Sequence, residues 1–210
     1  MAKKLGKILA KFSAWATPTD DSGITAKLGG ESTAVGTDTL ANGDASLEVR
    51  DLGAVTVVKG TATFSASATS PAGTQSFATA NSFAEVSGAD YVFMRTITRG
   101  LPDRPGGDST WSETSTTRMI AIDIEGITLS RTVHVTEGKA NALIKELARI
   151  KPENIDRTKP APVDPDGNVA TVDVDVHVIG ENTYASVDTS VLAVEDTLST
   201  VNALITAGLA

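Results

Sequence analysis

The chain contains no cysteine, which removes disulfides, thiolate metal sites and cysteine nucleophiles in any compartment. Aromatic residues make up only 4% of its 210 residues, so a core has to be built from Ala, Val, Ile and Leu rather than from large rings. There are two histidines, His134 and His177, and no serine in an activated arrangement, so the usual general-base and nucleophile sets are nearly missing. No apolar run approaches the ~20 residues of a membrane-spanning helix. What is present is 40% hydrophobic and 21% charged residues with a net charge of −8. That composition is of soluble globular type, and the length suffices to bury a sizeable core.

Charge is unevenly placed. Lys3, Lys4, Lys7 and Lys11 fall within the first 15 residues with no acid among them, leaving 14 basic against 26 acidic side chains in the other 195. Leu5, Ile8, Leu9, Phe12 and Trp15 recur at helical spacing opposite the lysines. Residues 1–16 are therefore expected to form a basic amphipathic arm, weakened at Gly6. Lysines interrupt the apolar residues too often for a signal peptide, so the chain is expected to remain unexported. Such an arm either docks on its own domain or reaches an acidic neighbouring subunit, a polyanion or an anionic surface.

Residues 17–210 read as a single β-rich domain. Residues 17–46, rich in Thr, Ser, Gly, Asp and Ala, read as loop with short extended pieces. Strand alternation follows at 46–59, 61–69, 75–86 and 90–98. The Pro and Gly of Ser70-Pro71-Ala72-Gly73 favour a tight reversal and predict a hairpin between the second and third of these. Gly100, Pro102, Pro105, Gly106 and Gly107 mark 99–116 as a long loop, with further strands at 117–124 and 127–136. Ala140, Leu143, Ile144 and Leu147 predict an amphipathic helix over 137–150. Pro152, Pro160, Pro162 and Pro165 make 151–168 a stiff connector. In 169–179, Val172, Val174, Val176 and Val178 alternate with Asp173, Asp175 and His177, giving a strand with one dry and one wet face.

The last segment places Val187, Val191, Val194, Leu198, Val201 and Ile205 at spacings of 4, 3, 4, 3 and 4. This heptad-like seam predicts a C-terminal helix over 186–207 that either lies on its own sheet or crosses to a second subunit. The expected fold is α+β: a mainly antiparallel sheet with an N-terminal amphipathic helix, one mid-chain helix and a C-terminal helix.

Motifs for chemistry are weak. Gly107-Asp108-Ser109 has the letters of the catalytic block of GDS-type esterases, but Thr110 follows it, it lies mid-chain, and no late Asp-x-x-His accompanies it. Gly138-Lys139 stands between strand and helix, yet Val133 and Ala140 occupy the places of the first glycine and the hydroxyl of a phosphate-binding loop. Asp164-Pro165-Asp166-Gly167-Asn168 opens like a calcium loop, but Val169 stands where the turn requires Gly. Asp173, Asp175 and His177 could hold an ion only with ligands from another element, which leaves an ion- or carbohydrate-binding surface module as the alternative function.

By elimination a structural role remains. A basic helical arm, an acidic Ser/Thr/Ala-rich β body, Pro/Gly-rich connections and a terminal apolar seam together resemble the structural proteins of bacteriophage virions: coat, tail-tube or decoration subunits. The ending, a strand at 169–179 followed by an expected helix, resembles RNA-bacteriophage coat proteins, in which C-terminal helices lie across the partner's sheet. The chain departs from that family in its length, its leading helix and its mid-chain helix, so no RNA-binding residue is carried across. The resemblance implies a non-enzymatic, cofactor-free subunit that assembles with copies of itself in a virion. The expected assembly residues are Lys3, Lys4, Lys7, Lys11, Leu5, Ile8 and Phe12 of the arm, with Val187, Val191, Val194, Leu198, Val201 and Ile205. Other virion proteins are further expected partners, and nucleic acid could be contacted only through the arm.

Overall fold

The computed structural model describes residues 16–17, 23–101, 108–125, 128–129, 131–147 and 167–209. Strands dominate them: β1 (Ala16–Thr17), β2 (Thr25–Val35), β3 (Asp38–Asp51), β4 (Val55–Ser70), β5 (Phe77–Ser87), β6 (Tyr91–Leu101), β7 (Ser109–Ile124), β8 (Thr128–Leu129), β9 (Val133–His134), β10 (Asn168–Ile179), β11 (Thr183–Val194) and β12 (Leu198–Leu209). Among the described residues one short helix, α1 (Glu137–Leu147), lies between β9 and β10. A six-stranded sheet in the order β10-β3-β4-β7-β6-β9 faces a four-stranded sheet in the order β11-β12-β2-β5, and β1 and β8 form a separate two-residue pair. All pairings are antiparallel except β10 with β3 and β6 with β9.

The α+β expectation is thereby corrected: the described residues form a β-sandwich with one short helix. The expected N-terminal helix, in residues 1–15, and most of the connector at 151–168 lie outside the described residues. The C-terminal helix is replaced by a hairpin of β11 and β12, reversed at Glu195–Thr197 where the Thr197 N–H bonds the Val194 carbonyl at 3.2 Å. Residues 17–46 are not loop: β2 and most of β3 occupy them. The expected strand at 46–59 is two strands reversing at Gly53, whose N–H is held by the Asp51 carboxylate at 2.8 Å. The expected loop at 99–116 is invaded from both sides by β6 and β7, and 127–136 holds two short strands instead of one long one.

The turn after β4 forms, but one residue later than its letters predict. The Thr74 N–H bonds the Pro71 carbonyl at 3.0 Å, and Gly73 takes the left-handed φ of 89° that this reversal requires. It does not make a hairpin. β4 belongs to the six-stranded sheet and β5 to the four-stranded one, so the chain crosses between layers here.

The layers are held by a thin core. Alternation along β3, β4, β2 and β12 points Leu47, Val49, Val58, Leu28, Val201 and Ile205 inward, all buried. The ring of Phe64 is fully buried in this small-residue core. It fits because glycines flank it: a Cβ on Gly43 would lie 2.7 Å from Phe64 Cε1, and one on Gly30 would collide with Cδ2. Inward hydroxyls bond across the gap rather than remaining orphaned. Thr39 Oγ1 meets Ser199 Oγ at 2.7 Å, the Ser32 hydroxyl donates to the Asn42 carbonyl at 3.2 Å, and Ser82 Oγ lies 2.8 Å from both Ser115 Oγ and Thr117 Oγ1.

A second cluster sits on the outer face of the six-stranded sheet. There α1, begun by Thr136 whose hydroxyl accepts the Lys139 N–H at 3.4 Å, lays Ala140 and Ile144 on Val55, Val57, Tyr91, Ile120 and Ile122. Beside it the buried Asp90 carboxylate accepts the Ile124 N–H at 3.0 Å and the Leu129 N–H at 3.1 Å, fixing the chain that leads to the helix.

Candidate assembly surface

The residues proposed for an apolar seam are divided between two strands. Val201 and Ile205, on β12, are fully buried in the sandwich core. Leu198 pairs with Val194 at the β11–β12 turn and with Val35 of β2. Val187 and Val191 lie on β11 opposite Ile205 and Val201, and therefore point inward. They nevertheless remain 48% and 46% exposed. The seam is thus split three ways: Val201 and Ile205 in the core, Val187 and Val191 at an open edge, and Val194 and Leu198 on the outer face. Lys3, Lys4, Leu5, Ile8, Lys7, Lys11 and Phe12 lie outside the described residues.

β10 behaves as its alternation predicts. Val172, Val174, Val176 and Val178 pack partly buried against the main core, while Asp173, Asp175 and His177 are exposed on the outer face. His177 Nε2 lies 3.2 Å from Asp175 Oδ1, with both side chains mostly in solvent. Across the register, Asp173 stands beside Asp44 of β3 and His177 beside Glu48. The Asp44 carboxyl is pushed above its ordinary range, first by the atoms packed around it and then by the Asp173 carboxylate. Among the described residues no three His, Asp or Glu side chains gather as ligands for a metal ion. The calcium-loop pattern is also undone from Asn168 onward, because that stretch is committed to pairing with β3.

Ser109 begins β7, and its hydroxyl is occupied by Ser76: the Ser76 N–H donates to it at 3.2 Å, and the two hydroxyls are 2.8 Å apart. It clasps β5 to β7 rather than facing either histidine. Gly138 and Lys139 are exposed in the first turn of α1.

The feature that stands out lies at the sides of the sandwich. β10 and β11 end their sheets on one side, and β5 ends the four-stranded sheet on the other. β6 is covered by β9 only at Tyr91 and Val92, so from Phe93 to Leu101 its outer edge is free among the described residues. Each such edge offers a row of backbone N–H and C=O groups to another strand. Pro and Lys, two usual blunting devices, are missing from all four strands. Large apolar side chains crowd there: Phe77, Met94 and Leu101 on one side, Val187, Val191 and Leu192 on the other.

Arg95 and Arg99, both exposed on β6, were not singled out by sequence reasoning. Two arginines four residues apart fall on the same face of a strand, and β6 holds no acid, so the signal was present in Arg95-Thr-Ile-Thr-Arg99. The RNA-bacteriophage coat likeness loses its carrier, since a hairpin stands where the C-terminal helix was expected. Compared with protein-family models, curated proteins and solved structures, the chain matches none.

Proposed function

We propose that this protein is a self-assembling structural subunit of a particle of bacteriophage virion type, acting in the virion without a catalytic step or a cofactor. One observation supports the reading above the others: among the described residues both sides of the sandwich end in long strands with an unpaired edge, and apolar side chains there are left partly in water. An isolated domain gains nothing from such edges and risks uncontrolled pairing, whereas a subunit that is completed by its neighbours uses them. The basic arm of residues 1–15 supplies a further reach toward an acidic body, or toward nucleic acid.

Sedimentation of the purified chain at two salt concentrations, followed by negative-stain imaging, tests this. Rings, tubes or shells are expected, and a strictly monomeric profile at high concentration would overturn the proposal. Removal of residues 1–15 is expected to impair assembly; undiminished particles would remove the arm from it.

A further inference from the structure

We propose that copies join head to tail: the free strand β6 of one copy docks antiparallel beside β10 and beneath β11 of the next, with Arg95 and Arg99 facing Asp173 and Asp175. This deepens the assembly reading and rests on it.

The two sheets are offset. β5 packs chiefly on β7 and β4, clasped by Ser76–Ser109, by the Ala80 N–H on Glu113 Oε1 at 3.0 Å, and by Ser82 on Ser115 and Thr117. β6 therefore runs past the four-stranded layer, and its inward-pointing Met94, Thr96 and Thr98 stay exposed. On the far side the offset is reversed. β12 lies over both β3 and β10 while β11 reaches β10, and inward-pointing Val187 and Val191 are left almost half uncovered. A layer that overruns on one side and a roof that overhangs on the other make the two halves of a lap joint.

Charge selects the partner. β10 and β11 carry Asp173, Asp175 and Asp188 and not one Lys or Arg. β6 carries Arg95 and Arg99 and no acid, and Arg118 of β7 stands directly beside Arg95. Asp173 and Asp175 on β10 and Arg95 and Arg99 on β6 occupy the same outer face of the same sheet at its two ends, so a second copy of this chain is the complementary surface. Like edges would bring arginines onto arginines, which disfavours a two-fold dimer.

Orientation and register follow from the pairing within one copy. β10 runs with β3, against β4, with β7 and against β6. Copies that keep one orientation, as a ring or filament requires, thus bring β6 antiparallel to β10. The registered rows run Asp175–Ser46–Thr61–Arg118–Arg95 and Val174–Ala45–Ala62–Thr117–Thr96. Without axial shift, Arg95 comes opposite Asp175, Thr96 opposite Val174, and Arg99 diagonal to Asp173, within reach of long side chains.

The absence of cysteine makes this directly testable by disulfide cross-linking of the full chain. In a Thr96→Cys/Val174→Cys double variant the two thiols of one copy are four strand steps apart, about 19 Å at ~4.8 Å per step, beyond any disulfide, so every bond formed joins two copies. Mild oxidation is expected to give a ladder of covalent oligomers from the double variant and none beyond background from either single variant. A companion arm uses charge. Arg95→Glu/Arg99→Glu alone and Asp173→Lys/Asp175→Lys alone should each lose assembly while keeping the wild-type circular dichroism spectrum, and their equimolar mixture should regain it. If the wild type sediments as an oligomer but the double variant gives no ladder, or the single variants dimerise, or the mixture fails, the head-to-tail joint is wrong and assembly itself stands. A wild type that stays monomeric removes the assembly reading, and this joint with it.

Discussion

The middle of the sandwich and its sides are built from the same kinds of residue and behave oppositely. In the middle, Ala, Gly and hydroxyl side chains let the sheets close on Phe64 and bond to each other, as at Thr39–Ser199 and Ser82–Ser115. At the sides the same economy of bulk leaves valines and backbone edges uncovered, as at Val187 on β11 and along β6 beyond Val92. Small side chains close a core when a second sheet lies opposite and leave a gap when it does not. Stability should therefore be concentrated in the middle and assembly at the sides, and substitutions in each place can break that division.

The largest expected effect is in the middle. Phe64→Ala removes the one ring that, among the described residues, is fully buried between the sheets, and its neighbours Gly30 and Gly43 have no side chains with which to collapse on the hole. A loss of about 3–5 kcal/mol is expected from a buried aromatic truncation of this kind, read as the unfolding midpoint in urea. A midpoint unchanged from wild type would show that Phe64 does not bind the layers together.

A smaller loss tests the same slot from the other wall. Gly43→Ala puts a methyl 2.7 Å from the Phe64 ring and 3.0 Å from Val201 Cγ1, which calls for overpacking relief of about 1–3 kcal/mol. Combined with Phe64→Ala the two should be markedly non-additive, because each alters the space the other occupies. Additive losses would mean that the glycine matters for another reason.

The contrast also explains what the sequence made legible. Alternation in Val172–Val178 and Asp173–His177 was enough to give β10 and its wet face, because a strand with one buried side writes that fact into consecutive residues. Alternation says which side is dry but not which strand is the neighbour. That is why the turn at Pro71–Thr74 suggested a hairpin when β4 and β5 in fact face each other across the core. The seam from Val187 to Ile205 mimicked a helix for a related reason. Its two intervals of three residues flank the reversal at Glu195–Thr197 and put Val194 and Leu198 on the opposite face from the other four, and the polar Glu195-Asp196-Thr197 and the β-branched neighbours were the missed cues. The proposed joint of β6 was invisible because it depends on the offset of two sheets, which no local pattern records.

The smallest effect separates the sides from the middle by its sign. Asp44 has its carboxyl raised above 3.8 by surrounding atoms and, second, by Asp173. A raised folded pKa means that its contribution to stability is fully present below the unfolded value near 3.8 and is lost as pH rises through the folded value. Asp173→Asn removes the second cause, so the monomer should gain about 0.2–1 kcal/mol at neutral pH, toward the lower end because both groups meet solvent. The gain should shrink as pH falls through the folded pKa of Asp44. In the proposed joint the same carboxylate is opposed by the neighbour's arginines, so Asp173→Asn should weaken association while stabilising the separate chain. Urea midpoints measured at pH 7 and pH 3.5, set beside sedimentation at pH 7, read both signs. A variant that loses stability and keeps its association would place Asp173 in the fold's own support and take it out of the joint.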